Sequence, residues 1–227
     1  ASIKFTARKV ADATRAKSQC AVLPLFSDHK PGGAARDLDK ASGGAITSLL
    51  ALGDFSAKQG ETAFLPGAGE SRRLLVVGCG DKKKFDRDAA RGLARNIYNA
   101  LARTQAADAT LYLEDLKVSD AEPAWLLELL ARSINTGAYR YTETLSKPKP
   151  ALKLARVVVS NGERIGTRAA QRALDAGAST ALGINVARNL ANLPGNICTP
   201  SYLAQQARKL GRGNPKLSVQ VLEEKKM

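Results

Sequence analysis

Apolar positions in the middle of the chain follow two periods. Residues 73–78 are almost continuously apolar and end at a glycine, a pattern typical of a strand buried on both faces. Between Asp86 and about Arg103, apolar residues recur every three or four positions, which predicts an amphipathic helix packed on that strand. Strands are also predicted at 110–113 and 154–160, with a helix around 126–134 between them. This alternation predicts an α/β fold in which a mixed sheet is flanked by helices.

The beginning of the chain is less regular. Two short alternating segments, 3–7 and 20–26, predict strands, and Pro24 favours a sheet edge or a strand end for the second one. We therefore expect a small mixed or antiparallel edge in this region. Residues 37–52 have helical spacing that Gly43 and Gly44 interrupt, so they form either one interrupted helix or two helices joined by a turn.

A long helix is predicted in the last third of the chain. The proline-rich stretch 146–150 cannot be helical and predicts a surface loop. From about Arg164, apolar residues recur at four-residue spacing until Pro194 and Gly195 end the helix. Such a long helix is expected to join two domains.

The segment after this helix reads as the start of another α/β unit. Thr199 and Pro200 are typical of a helix start, residues 217–221 alternate as a strand, and a further helix is predicted from 223. About 35 residues are too few for an independent core. We predict an N-terminal α/β domain over 1–162, a linker helix over 163–192 and the truncated start of a second α/β domain over 193–227.

Composition narrows the class of protein. The chain has 227 residues, of which 44% are hydrophobic and 5% aromatic, and these values exclude a disordered or collagen-like chain. Its sequence contains no apolar run of about 20 residues and no signal-peptide pattern, so we expect a cytoplasmic protein without a membrane partner.

Cysteine and histidine offer little chemistry. Cys20, Cys79 and Cys198 are odd in number and far apart, which argues against a disulfide framework or a zinc cluster, and we expect them to be reduced and mostly buried. His29 is the only histidine and lies in a polar turn, where an exposed loop position is expected. Any mechanism based on histidine would depend on this one residue.

A glycine-rich turn follows the predicted strand at 73–78. Gly78, Cys79, Gly80 and Asp81 could present backbone N–H groups to a phosphate or carboxylate. The turn lacks the third glycine of a dinucleotide fingerprint and the Lys-Ser/Thr of a P-loop, and a structural tight turn explains two glycines equally well.

Positive charge is the strongest compositional signal. The formal net charge is +14, and residues 147–227 hold 14 basic but only 4 acidic residues. Such an excess favours a polyanionic partner, and DNA binding is the alternative function that it predicts. The candidate phosphate contacts are Arg72, Arg73, Lys82, Lys83, Lys84, Lys147, Lys149 and Lys153.

Carboxylate pairs do not predict an active site. Asp86 and Asp88 lie two positions apart in a helix, and Glu114 and Asp115 are adjacent at a strand end, so neither pair is expected to share a face. We interpret them as surface charges, and no catalytic or metal-binding residue is predicted from the residues alone.

Two stretches of the chain resemble a known family. The pattern Arg188-Asn189-Leu190-x-Asn192-x-Pro194-x-Asn196-x-x-Thr199-Pro200 looks like the entry to the catalytic domain of leucyl (cytosol) aminopeptidases. Upstream, Gly53-Asp54-Phe55-x-x-Lys58-x-Gly60-Glu61 and the stretch 74–80 are similar in order and spacing to the N-terminal domain of that family, although Cys79 replaces a more usual aliphatic residue. The resemblance covers most of residues 38–227.

The resemblance implies a fold and an activity. It implies an N-terminal domain similar to the ADP-ribose-binding macro domain, then a dinuclear metallopeptidase domain with two manganese or zinc ions that releases N-terminal residues, leucine especially, from peptides. It also implies a homohexamer and, as in some bacterial members, possible DNA binding. The segments that hold the metal ions in the family do not occur in this chain, so we expect it to be inactive by itself.

Overall fold

Helices and strands account for most of the residues that the computed structural model describes, which are 2–28, 30–148 and 150–223. The chain divides into two units, residues 1–139 with 150–183 and residues 140–149 with 184–227. No helix within the described residues is both long and apolar enough to cross a membrane. The elements are β1 Lys4–Arg8, β2 Ala21–Leu25, α1 Gly33–Ala41, α2 Ala45–Leu52, β3 Thr62–Ala68, β4 Ser71–Gly78, α3 Arg87–Ala102, β5 Asp108–Tyr112, α4 Pro123–Gly137, β6 Arg156–Ser160, α5 Thr167–Asn192 and α6 Pro200–Arg212.

A six-stranded mixed sheet forms the centre of the first unit. Its strand order is β1-β6-β5-β2-β4-β3, and every neighbouring pair is parallel except β3 with β4. Helices flank this sheet, so the predicted fold class, an α/β domain with a mixed sheet between helices, is confirmed.

The two faces of the sheet carry separate hydrophobic clusters. Leu75 and Val77 of β4 belong to the larger cluster, together with residues of α3, α4 and the first turns of α5. Leu74 and Val76 point to the opposite face, where they cluster with Leu38 of α1 and Ile46 of α2. Because successive side chains of a strand point to opposite faces, a run without polar residues is what burial on both faces requires.

Of the two N-terminal strands, β1 lies at one edge of the sheet, where it pairs in parallel, and β2 does not lie at an edge. β2 is an inner strand between β5 and β4, so the sheet-edge alternative for Pro24 is wrong. Pro24 is the penultimate residue of β2, which agrees with the strand-end alternative. The pairing of β2 with β5 ends at Val22. The backbone nitrogen of Pro24 faces β5 beyond that point, so the N–H that proline lacks would form no hydrogen bond with β5. The antiparallel edge is β3, which carries Pro66 and Gly67 and has no strong alternation.

The outer edge of β1 is closed by side-chain amides. The Ile3 N–H donates to Asn135 Oδ1 at 2.8 Å, and Asn135 Nδ2 donates to the Ile3 carbonyl at 3.2 Å. Further along, the Ala7 N–H donates to Gln171 Oε1 at 2.8 Å, and Gln171 Nε2 donates to the Phe5 carbonyl at 3.2 Å. These amides satisfy backbone groups that an edge strand otherwise offers to another chain.

Two helices with a glycine turn occupy the region predicted as interrupted. Gly43 and Gly44 have φ values of 68° and 87°, which a side chain disfavours, and they separate α1 from α2. Asp39 then accepts hydrogen bonds from the backbone N–H groups of Ile46 and Thr47 at 2.7 and 3.1 Å. The alternative with two helices is therefore confirmed.

The long helix predicted from about Arg164 is α5, which spans 26 residues. Its residues up to 183 belong to the first unit, and those from 184 belong to the second. The proposed domain bounds at 162 and 192 stay a prediction.

The second unit contains the end of α5, the helix α6 and irregular segments. Thr199 Oγ1 accepts a hydrogen bond from the Tyr202 N–H at 3.3 Å, which confirms the predicted helix start. Residues 217–221 form no strand, because the described part of this unit offers no strand with which they could pair. The helix predicted from 223 lies mostly in 224–227, outside the described residues.

Candidate functional site

The carboxyl edge of the sheet is where an α/β fold of this kind usually binds a ligand. β2 leads to α1 on one face and β5 leads to α4 on the other, so the connections diverge between these two neighbouring strands. The segments that follow β2, β4, β5 and β6 meet at this edge, and they include the predicted glycine-rich turn.

The glycine-rich turn after β4 is structural. The N–H groups of Gly78, Cys79 and Gly80 donate to the carbonyls of Glu61, Leu25 and Ala57 at 2.8–2.9 Å. A Cβ atom at Gly78 would lie 2.0 Å from the Lys58 carbonyl oxygen. The glycines thus admit the neighbouring backbone, and these three N–H groups already have acceptors.

The lysines after this turn lie at the surface. Lys82–Lys84 form a short 3-10 helix in which Asp81 accepts a hydrogen bond from the Lys83 N–H. Asp28 accepts one from the Lys82 N–H at 3.1 Å, so the segment is tied to the end of β2. The side chains of all three lysines are exposed.

Three of the other candidate phosphate contacts lie at the opposite edge of the sheet from these lysines. Arg72 and Arg73 are at the amino end of β4, about 20 Å from the far end of that strand at roughly 3.3 Å per residue. Lys153 is exposed before β6 and lies at the amino edge as well. Lys147 belongs to the second unit. Lys149, like His29, lies outside the described residues.

Glu114 differs from the surface charge that was expected. It is half-buried, and it accepts a hydrogen bond from the Ser160 hydroxyl at the end of β6. Burial raises the pKa of its carboxyl group, while the Ser160 hydrogen bond lowers it and the Asp115 charge raises it further. Gly162 packs against Glu114, since a Cβ there would lie 3.2 Å from Glu114 Cγ.

Asp115 lies against the amino end of α1. A Cβ added at either Gly32 or Gly33 would stand 3.2 Å from Asp115 Oδ2, so both glycines leave room for this carboxylate. Gly32 gives α1 no side-chain cap. A carboxylate here is favoured by the helix dipole and occupies the position in which an external anion would bind.

A cavity of about 750 Å³ opens beside the loop between β5 and α4. The Arg87 N–H donates to Asp120 Oδ1 at 3.1 Å, and Arg164 Nη1 donates to the Leu116 carbonyl at 2.9 Å. The Arg87 guanidinium also stacks over Trp125, with Cζ 5.1 Å from the ring centroid. Arg87 and Arg164 therefore connect parts of the cavity wall to each other.

Cysteines and carboxylates do not combine into a reactive centre. Cys20 and Cys79 are buried as expected, and burial raises the pKa of each thiol to about 12, which keeps them protonated. Cys198 is half-buried. Within residues 2–28, 30–148 and 150–223, no three His, Cys, Asp or Glu side chains come together as a metal ion requires.

The sequence did not predict the contacts between residues that lie far apart along the chain. Ser160 and Glu114 are 46 residues apart, and Asp115 is more than 80 residues from Gly32. No local spacing connects such pairs. The polar ends of neighbouring parallel strands were the one available signal, because those ends meet at a common edge.

Known proteins with similar sequences are aminopeptidases. The sequence model of the cytosol aminopeptidase family, N-terminal domain, matches residues 22–148. A probable cytosol aminopeptidase of Alkalilimnicola ehrlichii is 38% identical over 216 residues, which cover 92% of this chain and 43% of the relative. A probable cytosol aminopeptidase of Thioalkalivibrio sulfidiphilus is 34% identical, with coverages of 93% and 43%. The chain thus spans about two fifths of the length of these curated relatives.

Solved structures share the fold at low sequence identity. A mutant of tomato leucine aminopeptidase aligns with a TM-score of 0.80 at 18% identity, over 99% of this chain and 45% of that one. The bottromycin maturation enzyme BotP aligns with a TM-score of 0.66 at 23% identity, over 88% of this chain and 38% of that one. These descriptions give no support to DNA binding, which stays a prediction. The match over residues 22–148 and the shared fold establish that the chain belongs to the cytosol aminopeptidase family and carries its N-terminal domain.

Proposed function

We propose that the chain is the N-terminal part of a leucyl aminopeptidase, a dinuclear-metal exopeptidase that releases N-terminal amino acids, preferably leucine, from peptides. The observation that carries this proposal is the family match over residues 22–148. The names of the relatives support it, since both are described as probable cytosol aminopeptidases.

The chemistry is proposed to lie outside the 227 residues. The family activity needs two divalent ions, manganese or zinc, and the described residues gather no donor group for a metal. A solved structure of BotP with Mn has the same fold, with a TM-score of 0.64 at 22% identity. The chain by itself is therefore expected to hydrolyse no peptide.

The remaining features of the enzyme follow the same proposal. Peptides with a free N-terminus are the expected substrates, a homohexamer is the expected assembly, and the cytoplasm is the expected compartment. The domain over 1–162 would then act as an accessory module, and α5 would join it to the metallopeptidase domain.

Activity and mass measurements test this proposal together. Residues 1–227 and the native polypeptide from the source cells are each assayed for hydrolysis of leucine amide with Mn²⁺ or Zn²⁺, and the intact mass of the native polypeptide is determined. The expected result is activity only in the native polypeptide and a mass well above 24.0 kDa. Metal-dependent hydrolysis by residues 1–227 would contradict the inactive-module assignment, and an inactive native species of 24.0 kDa would contradict the enzyme assignment.

A further inference from the structure

Among the described residues, no α-helix of the first unit covers one half of a sheet face. Over β1 and β6 this face presents Lys4, Thr6 and Arg8 from one strand and Arg156 from the other, and all four residues are exposed. Sheets built mainly from parallel strands usually have both faces covered. A polar, open half is therefore a surface that is available to a partner.

A groove runs along this open surface. The chain between β1 and β2 passes over the sheet and leaves a groove of about 520 Å³ between itself and the strands β5 and β6. Val158 and Thr110 contribute from the strands, and Val10, Ala11 and Ala16 contribute from the covering segment. These five residues give the groove a floor and inner wall of small, mainly apolar side chains, and its other lining residues are charged.

Cations border this groove in excess. Arg8, Lys9, Arg15 and Lys17 line it, and Asp12 is the one acidic residue among the lining residues that the structure describes. All four cationic residues are exposed.

Carboxylates compensate only part of this positive charge. Asp12 pairs with Arg15 at 3.4 Å, and Glu163 pairs with Lys9 at 3.1 Å. At the amino edge, Asp108 pairs with Arg156 at 3.6 Å. Among the described residues, Lys4, Arg8 and Lys17 then have no carboxylate within ion-pair distance, and they leave three uncompensated positive charges.

We propose that this basic groove, formed by Arg8, Lys9, Arg15 and Lys17 over Val158, binds an extended acidic peptide segment. Aspartate and glutamate side chains would pair with Arg8 and Lys17, while backbone and methylene groups would contact the small apolar lining. The amides of Asn135 and Gln171 already occupy the outer edge of β1, so binding would proceed through side chains and not through strand addition.

A peptide fits this groove better than a nucleic acid. Within the described chain, the residues that line the groove include no aromatic side chain, and single-stranded nucleic acids are usually held by stacking on such side chains. Duplex nucleic acid is commonly read by an element that enters one of its grooves, whereas this surface is itself concave.

Fluorescence anisotropy with a labelled peptide of alternating acidic and small residues tests the proposal on the whole chain. The matched probe replaces each Asp and Glu by Asn and Gln. The variant Arg8→Glu/Lys17→Glu removes the uncompensated charges of the groove, and Lys83→Glu/Lys84→Glu makes the same change in net charge at exposed lysines beside β4. Thermal unfolding verifies that both variants fold.

The expected result is salt-dependent binding of the acidic probe, weakened about tenfold or more by the groove variant and less than about twofold by the control. Carbodiimide cross-linking is expected to join the probe to Lys9 or Lys17. The proposal would be overturned by an equal loss of affinity in both variants, by equal binding of the acidic and neutral probes, or by no binding of the acidic probe. Tighter binding of duplex DNA or polyphosphate through the same residues would overturn the choice of a peptide.

Discussion

One face of the sheet is built in two different ways. Over β2 and β4, Leu23, Leu74 and Val76 are fully buried beneath α1 and α2. Over β1, the same face carries the exposed Lys4 and Thr6. The covered half is thus stabilised by apolar packing and the open half is not. The difference is visible in the strands themselves, since β4 is continuously apolar from Leu74 onward and β1 alternates.

The largest expected effect comes from the covered half. Leu74→Ala leaves a cavity beneath α1 and α2 and is expected to lower the free energy of unfolding by about 2–5 kcal/mol. Thr6→Ala on the open half is the matched control and is expected to change it by less than about 0.5 kcal/mol. Chemical denaturation of both variants measures the difference, and similar losses at the two positions would contradict the comparison.

A smaller effect is expected at the edge of the open half, where hydrogen bonds take the place of packing. Asn135→Ala leaves the Ile3 N–H and carbonyl without their amide partner and is expected to cost about 1–3 kcal/mol. Asn135→Asp keeps an acceptor for the Ile3 N–H and loses the donor to the Ile3 carbonyl. Its decrease in the free energy of unfolding should therefore differ from that of Asn135→Ala. Sedimentation also reports whether the opened edge of β1 pairs with a second chain. Unchanged stability in both variants would show that the hydrogen bonds of the Asn135 side chain do not stabilise the edge of β1.

The smallest expected effect is a pH dependence at Glu114, between the two halves. Because burial raises the pKa of this carboxyl group in the folded state, the protonated form stabilises the fold below about 4.3, the ordinary pKa of glutamate. This contribution is lost as the pH rises through the raised value. Glu114→Gln stays neutral and can still accept from Ser160. When the two chains are compared from about pH 4 to about pH 8, the stability of the variant relative to the native chain should increase above about pH 4.3 and level off once Glu114 is ionised in the folded state.

Denaturation of both chains across this range measures the pH effect, with the exposed Glu163→Gln as the control. A difference between Glu114→Gln and the native chain that stays constant or shrinks with rising pH would contradict the expected sign.

Strong periodicity made several elements predictable. The helix predicted from Asp86 to about Arg103 is α3 within one or two residues, and the run at 73–78 is the main part of β4. Both carry many apolar residues at a fixed spacing, so local pattern and tertiary packing agree. β3 lacks such a pattern because an exposed edge strand tolerates Pro66 and Gly67.

Pairing between strands made other elements unpredictable. Residues 217–221 alternate as a strand but find no partner in the described part of the second unit. β2 carries a proline and is nevertheless an inner strand, since its pairing with β5 ends before Pro24. Whether a segment pairs depends on neighbours from distant parts of the chain, and local spacing does not contain them.

The sequence by itself determined the α/β class, the main helices and inner strands, and the resemblance to the cytosol aminopeptidase family, because these depend on local periodicity and on contiguous motifs. Only the tertiary structure decided that three N–H groups of the glycine-rich turn after β4 donate to backbone carbonyls and that Glu114 accepts a hydrogen bond from Ser160. It alone brought Arg8 and Lys17 to one groove beside Val158. The physical reason is that hydrogen bonding, burial and charge pairing act between residues that chain folding makes neighbours.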